Sequence, residues 1–294
     1  GGVARNNMAR LPNNIAAIQT LAVTGTSQID AGAGNVILSE LGNDFAGAVT
    51  VTGNNVILRD TDQLDISLTA AGDANVATTG GLTLSGSAAN LSTESGNSTL
   101  FGATTTTGTL TASAIFGGIT QTGALNVGGN ASFTASDVVT LDNTANVFGG
   151  SVAASGTAVS ITDNSDLLLA DVTGTAVTLS STGAISQSAG TLLIAGTLTG
   201  NSIGSTTLDG GNLVGTLGAF SANGFALNNA QTLSVTGPVD GGASTSLTAA
   251  GDLLLAGNVS GTTTSLTATG AITASSGTVT ASTLIATAGS GILL

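Results

Sequence analysis

The densest group of acidic side chains lies within six residues, at Asp60, Asp62 and Asp65. Closely spaced carboxylates resemble the opening of a calcium loop, because calcium takes several hard oxygen ligands. The glycine and the distal glutamate of an EF-hand loop are missing, and so is the glycine-rich calcium nonapeptide. The sequence therefore leaves two interpretations open, a solvated turn and a weak calcium site. It predicts no other cofactor.

Few residues in the chain could act as catalysts. The sequence contains no His, Cys, Lys, Tyr or Trp, so the usual general bases and activated nucleophiles are absent. Two aspartates on neighbouring repeats could form the carboxylate pair of a polysaccharide-cleaving enzyme, but the aromatic platforms on which sugar rings pack are missing. We therefore expect no enzyme and no catalytic residue, with a polysaccharide-acting enzyme as the weakest alternative.

The charge of the chain argues against two classes of partner. Sixteen carboxylates are set against three cations, Arg5, Arg10 and Arg59, for a net charge of −13. Nucleic acids require a basic surface that releases phosphate counterions, and anionic lipids attract basic clusters. No apolar run approaches the roughly 18 residues of a membrane helix. We predict no nucleic-acid binding and no membrane insertion.

Any functional side chain in this chain must be positioned by a short repeating unit. The string SLTAAGD at residues 67–73 recurs unchanged at 246–252 and returns, as SLTATGA, at 265–271. A spacing of 19 also relates two series of aliphatic residues, Leu179, Leu198 and Leu217, and Leu247, Leu266 and Ile285. A fixed short period is typical of a chain that stacks one small unit on itself.

Two longer offsets support the same unit. Residues 43–66 align without gaps on residues 146–169, at an offset of 103, and an offset of 87 relates residues 182–185 to 269–272. Both offsets are near-multiples of 19, so loops of varying length should absorb the difference. The residues matched by the longer offset include the pairs Asn43/Asn146, Phe45/Phe148 and Asp60/Asp163.

Within a unit, apolar side chains alternate with polar ones, which predicts short strands with one face buried. Two or three such strands in 19 residues suit one coil of a parallel β-helix, whereas sandwich strands usually run longer and propeller blades repeat at about 40–50 residues. The predicted fold class is all-β, a parallel β-helix with coils of about 19 residues. About fifteen coils at one ladder spacing each would make a rod roughly 70 Å long. We expect the phenylalanines to stack in its core.

The ends of the chain differ from the repeats. Residues 1–20 lack strand alternation and hold two of the three arginines, so we predict an N-terminal arm or linker there and the β-helix over residues 21–294. The arm would be a flexible leader, or it would cap the first coil or dock on a neighbouring molecule. The C-terminal sequence stops inside a repeat pattern without a polar cap, which would leave strand edges open.

Five stretches resemble the repeat region of filamentous-haemagglutinin-like exoproteins. They are NDFAGAVTV at residues 43–51, GAISQSAGTL at 183–192, LGAF at 217–220, LSVTG at 233–237 and SLTAAGD at 246–252. The likeness covers roughly residues 21–294. It implies a right-handed parallel β-helix, export across the outer membrane, and adhesion or fibre formation at the cell surface. The secretion domain of that family has no counterpart here, which leaves the export route open.

These observations lead to a structural hypothesis. An extracellular β-helical rod on a bacterial surface would supply reach, rigidity and adhesion, with host or neighbouring-cell surface glycans as further partners. The alternative is a subunit of an extracellular filament. Its copies would associate end to end through the open β-helix edges, in heterologous contacts that do not close.

Overall fold

The structure is a computed structural model that describes residues 8–11, for their backbone, and residues 14–294. The described residues form 36 strands and no helix. They make a parallel β-solenoid of about 14 turns, in which successive coils lie about 20 residues apart. The predicted all-β parallel β-helix is therefore confirmed. The chain divides into two compact units, residues 1–150 and 151–294.

The first unit contains the strands β1 (Met8–Leu11), β2 (Asn14–Ala17), β3 (Ala22–Val23), β4 (Ser27–Asp30), β5 (Val36–Leu38), β6 (Asp44–Phe45), β7 (Val49–Gly53), β8 (Val56–Asp60), β9 (Leu64–Ala70), β10 (Ala74–Thr78), β11 (Leu82–Ala88), β12 (Leu91–Ser95), β13 (Thr99–Thr106), β14 (Leu110–Ala114), β15 (Ile119–Gln121), β16 (Leu125–Val127), β17 (Ala131–Ala135), β18 (Val139–Leu141) and β19 (Val147–Phe148).

Strands of the first unit lie in parallel stacks. One stack runs through β2, β5, β8, β10, β12, β14 and β17. A second runs through β4, β7, β9, β11 and β13, and β13 then pairs with both β15 and β16. Paired residues are 17 apart between Ala74 and Leu91 but 22 apart between Ser27 and Val49, because the corners differ in length.

The second unit contains the strands β20 (Ser151–Ser155), β21 (Ala158–Asp163), β22 (Leu167–Ser181), β23 (Ile185–Gln187), β24 (Leu193–Ser202), β25 (Thr206–Ser221), β26 (Phe225–Asn229), β27 (Leu233–Val235), β28 (Val239–Asp240), β29 (Ser244–Ala249), β30 (Leu253–Leu255), β31 (Val259–Ser260), β32 (Thr263–Ala268), β33 (Ala271–Ala274), β34 (Val279–Thr280), β35 (Thr283–Ala288) and β36 (Gly291–Leu293).

The recurring string of the sequence lies on itself in the second unit. β29 and β32 pair in register, so that Leu247 lies on Leu266 and both side chains are buried. The pairing of Leu198 with Leu217 is confirmed as well. Two residues expected in these series fall out of register. Leu179 pairs with Gly200 and Ile285 pairs with Ser265, because the local coil spacing there is 21 and 20 residues.

Six of the seven phenylalanines are buried as expected, with Phe101 fully inaccessible. Phe116 is the exception, and the expectation was wrong for it, since its side chain is 80% exposed. It lies in the corner between β14 and β15, where the chain turns and strand alternation no longer sets which way a side chain points.

The predicted N-terminal arm contains two strands. β1 and β2 pair antiparallel, and β2 in turn lies parallel on β5 through Ile15 and Val36. Part of residues 1–20 therefore adds to the ladder of the first unit, while residues 1–7 and 12–13 lie outside the described residues. Since β1 occupies the outer edge of β2, it covers backbone groups that would otherwise stay unpaired.

Candidate binding groove and acidic cluster

The three aspartates of the predicted calcium cluster lie in different environments. Asp60 ends β8 and is buried at 2% exposure, whereas Asp62, in the following turn, and Asp65, within β9, are exposed. Among residues 14–294 no group of three or more His, Cys, Asp or Glu side chains is arranged to hold a metal ion. Calcium binding at this cluster stays a prediction, to be checked by the effect of calcium on the melting temperature.

Asp60 has a structural contact of its own. The Phe45 N–H donates to Asp60 Oδ1 at 2.9 Å, while Oδ2 is buried with no hydrogen-bond partner among the described residues. Burial raises the pKa of the Asp60 carboxyl above its usual value, and the nearby charge of Asp62 adds to the rise, although backbone N–H groups oppose it. A carboxyl that holds its proton more tightly is a poorer ligand for calcium.

A groove of about 450 Å³ lies over β8, β10, β12 and β14, and its lining includes the buried Asp60, Thr78 and Thr93 as well as outward-facing residues. Since side chains alternate along these strands, every second residue faces outward. One outward row is Asn75, Ser92 and Thr111, and the row beside it is Arg59, Ala77, Glu94 and Ser113. Ala77 is the smallest member of its row and lies between the two charged residues. Leu41, 78% exposed, also lines the groove.

Arg59 carries the one positive charge in residues 14–294. Its Nη1 donates to the carbonyl oxygens of Leu58 at 3.1 Å and Asn75 at 3.3 Å. These are the acceptors that Arg59 has among the described residues, and neither is a carboxylate. A guanidinium has five N–H donors, so Nε and Nη2 remain able to bind a ligand in the groove.

A ladder of Asn and Asp side chains lies at the starts of β2, β5, β8, β10 and β12, and the sequence reasoning missed it. Each side-chain oxygen accepts a hydrogen bond from the equivalent residue one coil later. The rungs are Asn14 to the Asn35 N–H, 2.8 Å; Asn35 to the Asn55 N–H, 3.0 Å; Asn55 to the Asp73 N–H, 2.9 Å; Asp73 to Asn90 Nδ2, 2.8 Å; and Asn90 to the Thr109 N–H, 2.8 Å.

The same ladder explains the last residue of the recurring string. In the second unit, Asp252 Oδ1 accepts the backbone N–H of Ala271 at 2.8 Å, whereas in the first unit Asp73 Oδ1 accepts from the side-chain Nδ2 of Asn90. Short Asn and Asp side chains often bond to nearby backbone in this way. Their function in the string is therefore to join coils, and the spacing of Asn and Asp just before apolar runs was the signal that could have revealed it.

The buried side chain of Asn146 joins two coils beside β19, a strand of two residues. Asn146 Oδ1 accepts the Leu125 N–H at 2.9 Å and Gln121 Nε2 at 2.8 Å. Its Nδ2 donates to the Leu141 carbonyl at 3.2 Å and to Gln121 Oε1 at 2.9 Å. These bonds satisfy backbone groups that the interrupted ladder leaves without strand partners.

Asn43, which the offset of 103 matches with Asn146, makes the equivalent bonds. It accepts the Leu21 N–H at 2.9 Å and donates to the Leu38 carbonyl at 3.1 Å. Asn43 and Asn146 are both fully buried. The internal similarity read from the sequence therefore reflects one corner structure used twice.

The coil of β35 and β36 exposes aliphatic side chains. Leu284 and Ile285 are 45% and 53% exposed, and Ile292 and Leu293 are 48% and 67% exposed. β35 pairs with β32, and β36 with β33. Among the described residues there is no helix long and apolar enough to cross a membrane.

Comparison with known proteins gives one partial match. The family described as "Repeats of unknown function (DUF5649)" matches residues 12–52 and 88–155, less than half of the chain. The two matched segments include Asn43 and Asn146, and they end at positions 52 and 155, which are related by the offset of 103. No curated protein and no solved structure matches the chain. The chain is thus similar, over these two segments, to a family of repeats.

Proposed function

We propose that the chain is a structural and adhesive β-solenoid of a bacterial surface, without a catalytic step. The observation that carries the proposal is the outer face of the stacked strands, where neutral groups such as those of Asn75, Ser92 and Thr111 repeat from coil to coil. Such groups contact sugars and other chains without the cost of desolvating a charge. Aliphatic rows inside and backbone ladders between coils give the stiffness that display at a surface requires.

The location is tested on cells that produce the protein. Antibodies against residues 151–294, used for immunogold microscopy and for detection after protease treatment of intact cells, should find the protein outside the cell and protease-accessible. Protein that resists protease until the cells are lysed would contradict the proposal. A cytoplasmic protein of the same cells serves as the control for lysis.

Adhesion is tested separately with purified protein. Beads coated with the full chain should bind to cells that display surface glycans, and treatment of those cells with glycosidases should reduce the binding. Beads coated with an unrelated acidic protein of similar charge are the matched control. Binding equal to that control would contradict the adhesive part of the proposal.

A second candidate is a head-to-tail filament, in which the aliphatic side chains of β35 and β36 would contact a second copy. A second copy is the proposed occupant, since a coil of the same sequence could continue the ladder. In the copy it meets, β1 already pairs with the outer edge of β2, so β1 would have to move. Leu293→Asp should abolish concentration-dependent sedimentation, whereas Leu254→Asp, at an exposed leucine of β30, should not. Sedimentation as a monomer at all concentrations would contradict the filament.

A further inference from the structure

The groove beside Arg59 has the character of a ligand site. In a chain with a net charge of −13, an arginine is expected to meet a carboxylate, yet both acceptors of Arg59 are backbone carbonyls. Those two bonds use Nη1 alone and hold the guanidinium at the face of β8 and β10. The remaining donors have no acceptor among the described residues. A carboxylate is the group that a guanidinium binds with two parallel hydrogen bonds.

The surroundings of Arg59 add hydrogen-bonding groups at regular distances. Asn75, Ser92 and Thr111 succeed one another at the strand spacing of about 4.8 Å, each one coil further along. Their amide and hydroxyl groups both donate and accept, as sugar hydroxyls require. Leu41 offers an apolar surface beside them. The volume of about 450 Å³ is within the range of small-molecule sites.

Glu94 limits what the groove can take. It lies two coils from Arg59 in the same outward row, with Ala77 between them. A ligand with a second negative charge close to the first would meet the Glu94 carboxylate, whereas a hydroxyl there could donate to it. The site therefore favours a chain in which carboxylated and neutral sugars alternate, and it disfavours dense polyanions.

We propose that the Arg59 groove binds a carboxylated saccharide, with the sugar carboxylate on the Arg59 guanidinium and neighbouring hydroxyls on Asn75, Ser92 and Glu94. This proposal names a ligand class for the adhesive surface and so rests on the proposed function. A failure of this proposal can be told apart from a failure of the proposed function, because saccharide binding is measured on purified protein and location is measured on cells.

The test is calorimetric titration of the full chain with a hyaluronan hexasaccharide, in which a uronic acid alternates with a neutral sugar. The unmodified chain should bind it, and a hexasaccharide with its carboxylates reduced to alcohols should bind about 10-fold or more weakly. Arg59→Gln should lose the same factor and should no longer distinguish the two ligands. Equal affinity of Arg59→Gln and the unmodified chain would overturn the proposal.

Two further variants separate a local effect from overall charge. Glu94→Gln and Asp65→Asn each raise the net charge by one, but Glu94 lines the groove and Asp65 is an exposed residue of β9 outside it. Glu94→Gln removes the charge that repels a second anionic group, so it alone should raise the affinity for a heparin hexasaccharide, and an equal rise in Asp65→Asn would overturn the assigned site. Ala77→Leu fills the groove without changing the net charge and should abolish saccharide binding. This variant tests the site even if Arg59→Gln does not fold. A heparin hexasaccharide that binds more tightly than hyaluronan would overturn the assigned ligand class.

Discussion

Replacing Asn146 by alanine removes the side chain that joins β16 to the corner of the next coil. Alanine leaves the Leu125 N–H and the Leu141 carbonyl without the partners that Asn146 gives them. Each unsatisfied buried group costs about 1–3 kcal/mol. Gln121 also loses two bonds, but it is only half-buried and can turn to water, at about 1 kcal/mol. We expect the free energy of unfolding to fall by about 3–7 kcal/mol.

Two variants calibrate this value. Asn43→Ala removes the equivalent backbone bonds but involves no glutamine, so its expected loss is smaller, about 2–6 kcal/mol. Asn126→Ala is the matched control, because Asn126 is exposed and follows Leu125 directly. A surface change of this kind should alter stability by less than about 0.5 kcal/mol.

Urea unfolding followed by circular dichroism measures the three variants. Because repeat arrays do not always unfold in two states, amide exchange at Leu125 provides a second measurement, and its protection should be lost in Asn146→Ala. The reasoning would be refuted if Asn146→Ala cost no more than Asn126→Ala, or if the Leu125 amide kept its protection.

Three other predictions concern single residues. The raised pKa of Asp60 means that the folded chain holds this proton more tightly than the unfolded chain does. The contribution of Asp60 to the free energy of unfolding is therefore fully present below about pH 4 and is lost as pH rises through the raised pKa. Asp60→Asn should flatten that dependence in thermal melts across pH, whereas exposed Asp65→Asn should keep it; an unchanged slope in Asp60→Asn would count against this. Gly86 has a φ of +124°, and a Cβ there would collide with the backbone, so Gly86→Ala should lower the free energy of unfolding by about 3 kcal/mol or more. Gly81→Ala is the control, because a Cβ at Gly81 would meet no atom closer than 3.6 Å. It should cost under about 1 kcal/mol in the same urea assay. Phe116→Ser should leave stability within about 0.5 kcal/mol because the ring is exposed; a larger loss would indicate an unrecognised contact.

The fold class was predictable because it depends on patterns within short stretches of the sequence. Alternating apolar residues require strands with one face buried, and identical strings at a short period require those strands to stack. The register of individual coils was less predictable. Leu198 and Leu217 pair as their spacing indicates, but Leu179 lies against Gly200, since the length of a corner changes the register without changing the alternation.

The candidate groove could not be read from the sequence for the same reason. Arg59, Ala77 and Glu94 are separated by 18 and 17 residues, and only the register of β8, β10 and β12 makes them neighbours. The calcium prediction at Asp60, Asp62 and Asp65 rests on their closeness in the sequence and stays a prediction. The strand alternation places Asp60 inside and Asp65 outside.

The coil spacing has a consequence for how the chain folds. Parallel strand partners in successive coils are separated by about 20 residues, wherever they lie within a unit. Each such pairing therefore closes a loop of about that length. The entropy of loop closure grows with the logarithm of loop length, and it therefore stays constant as coils are added. Contact order, which slows most all-β proteins, does not rise with the number of coils. Whole coils can be gained or lost during evolution without making the remaining pairings slower to form.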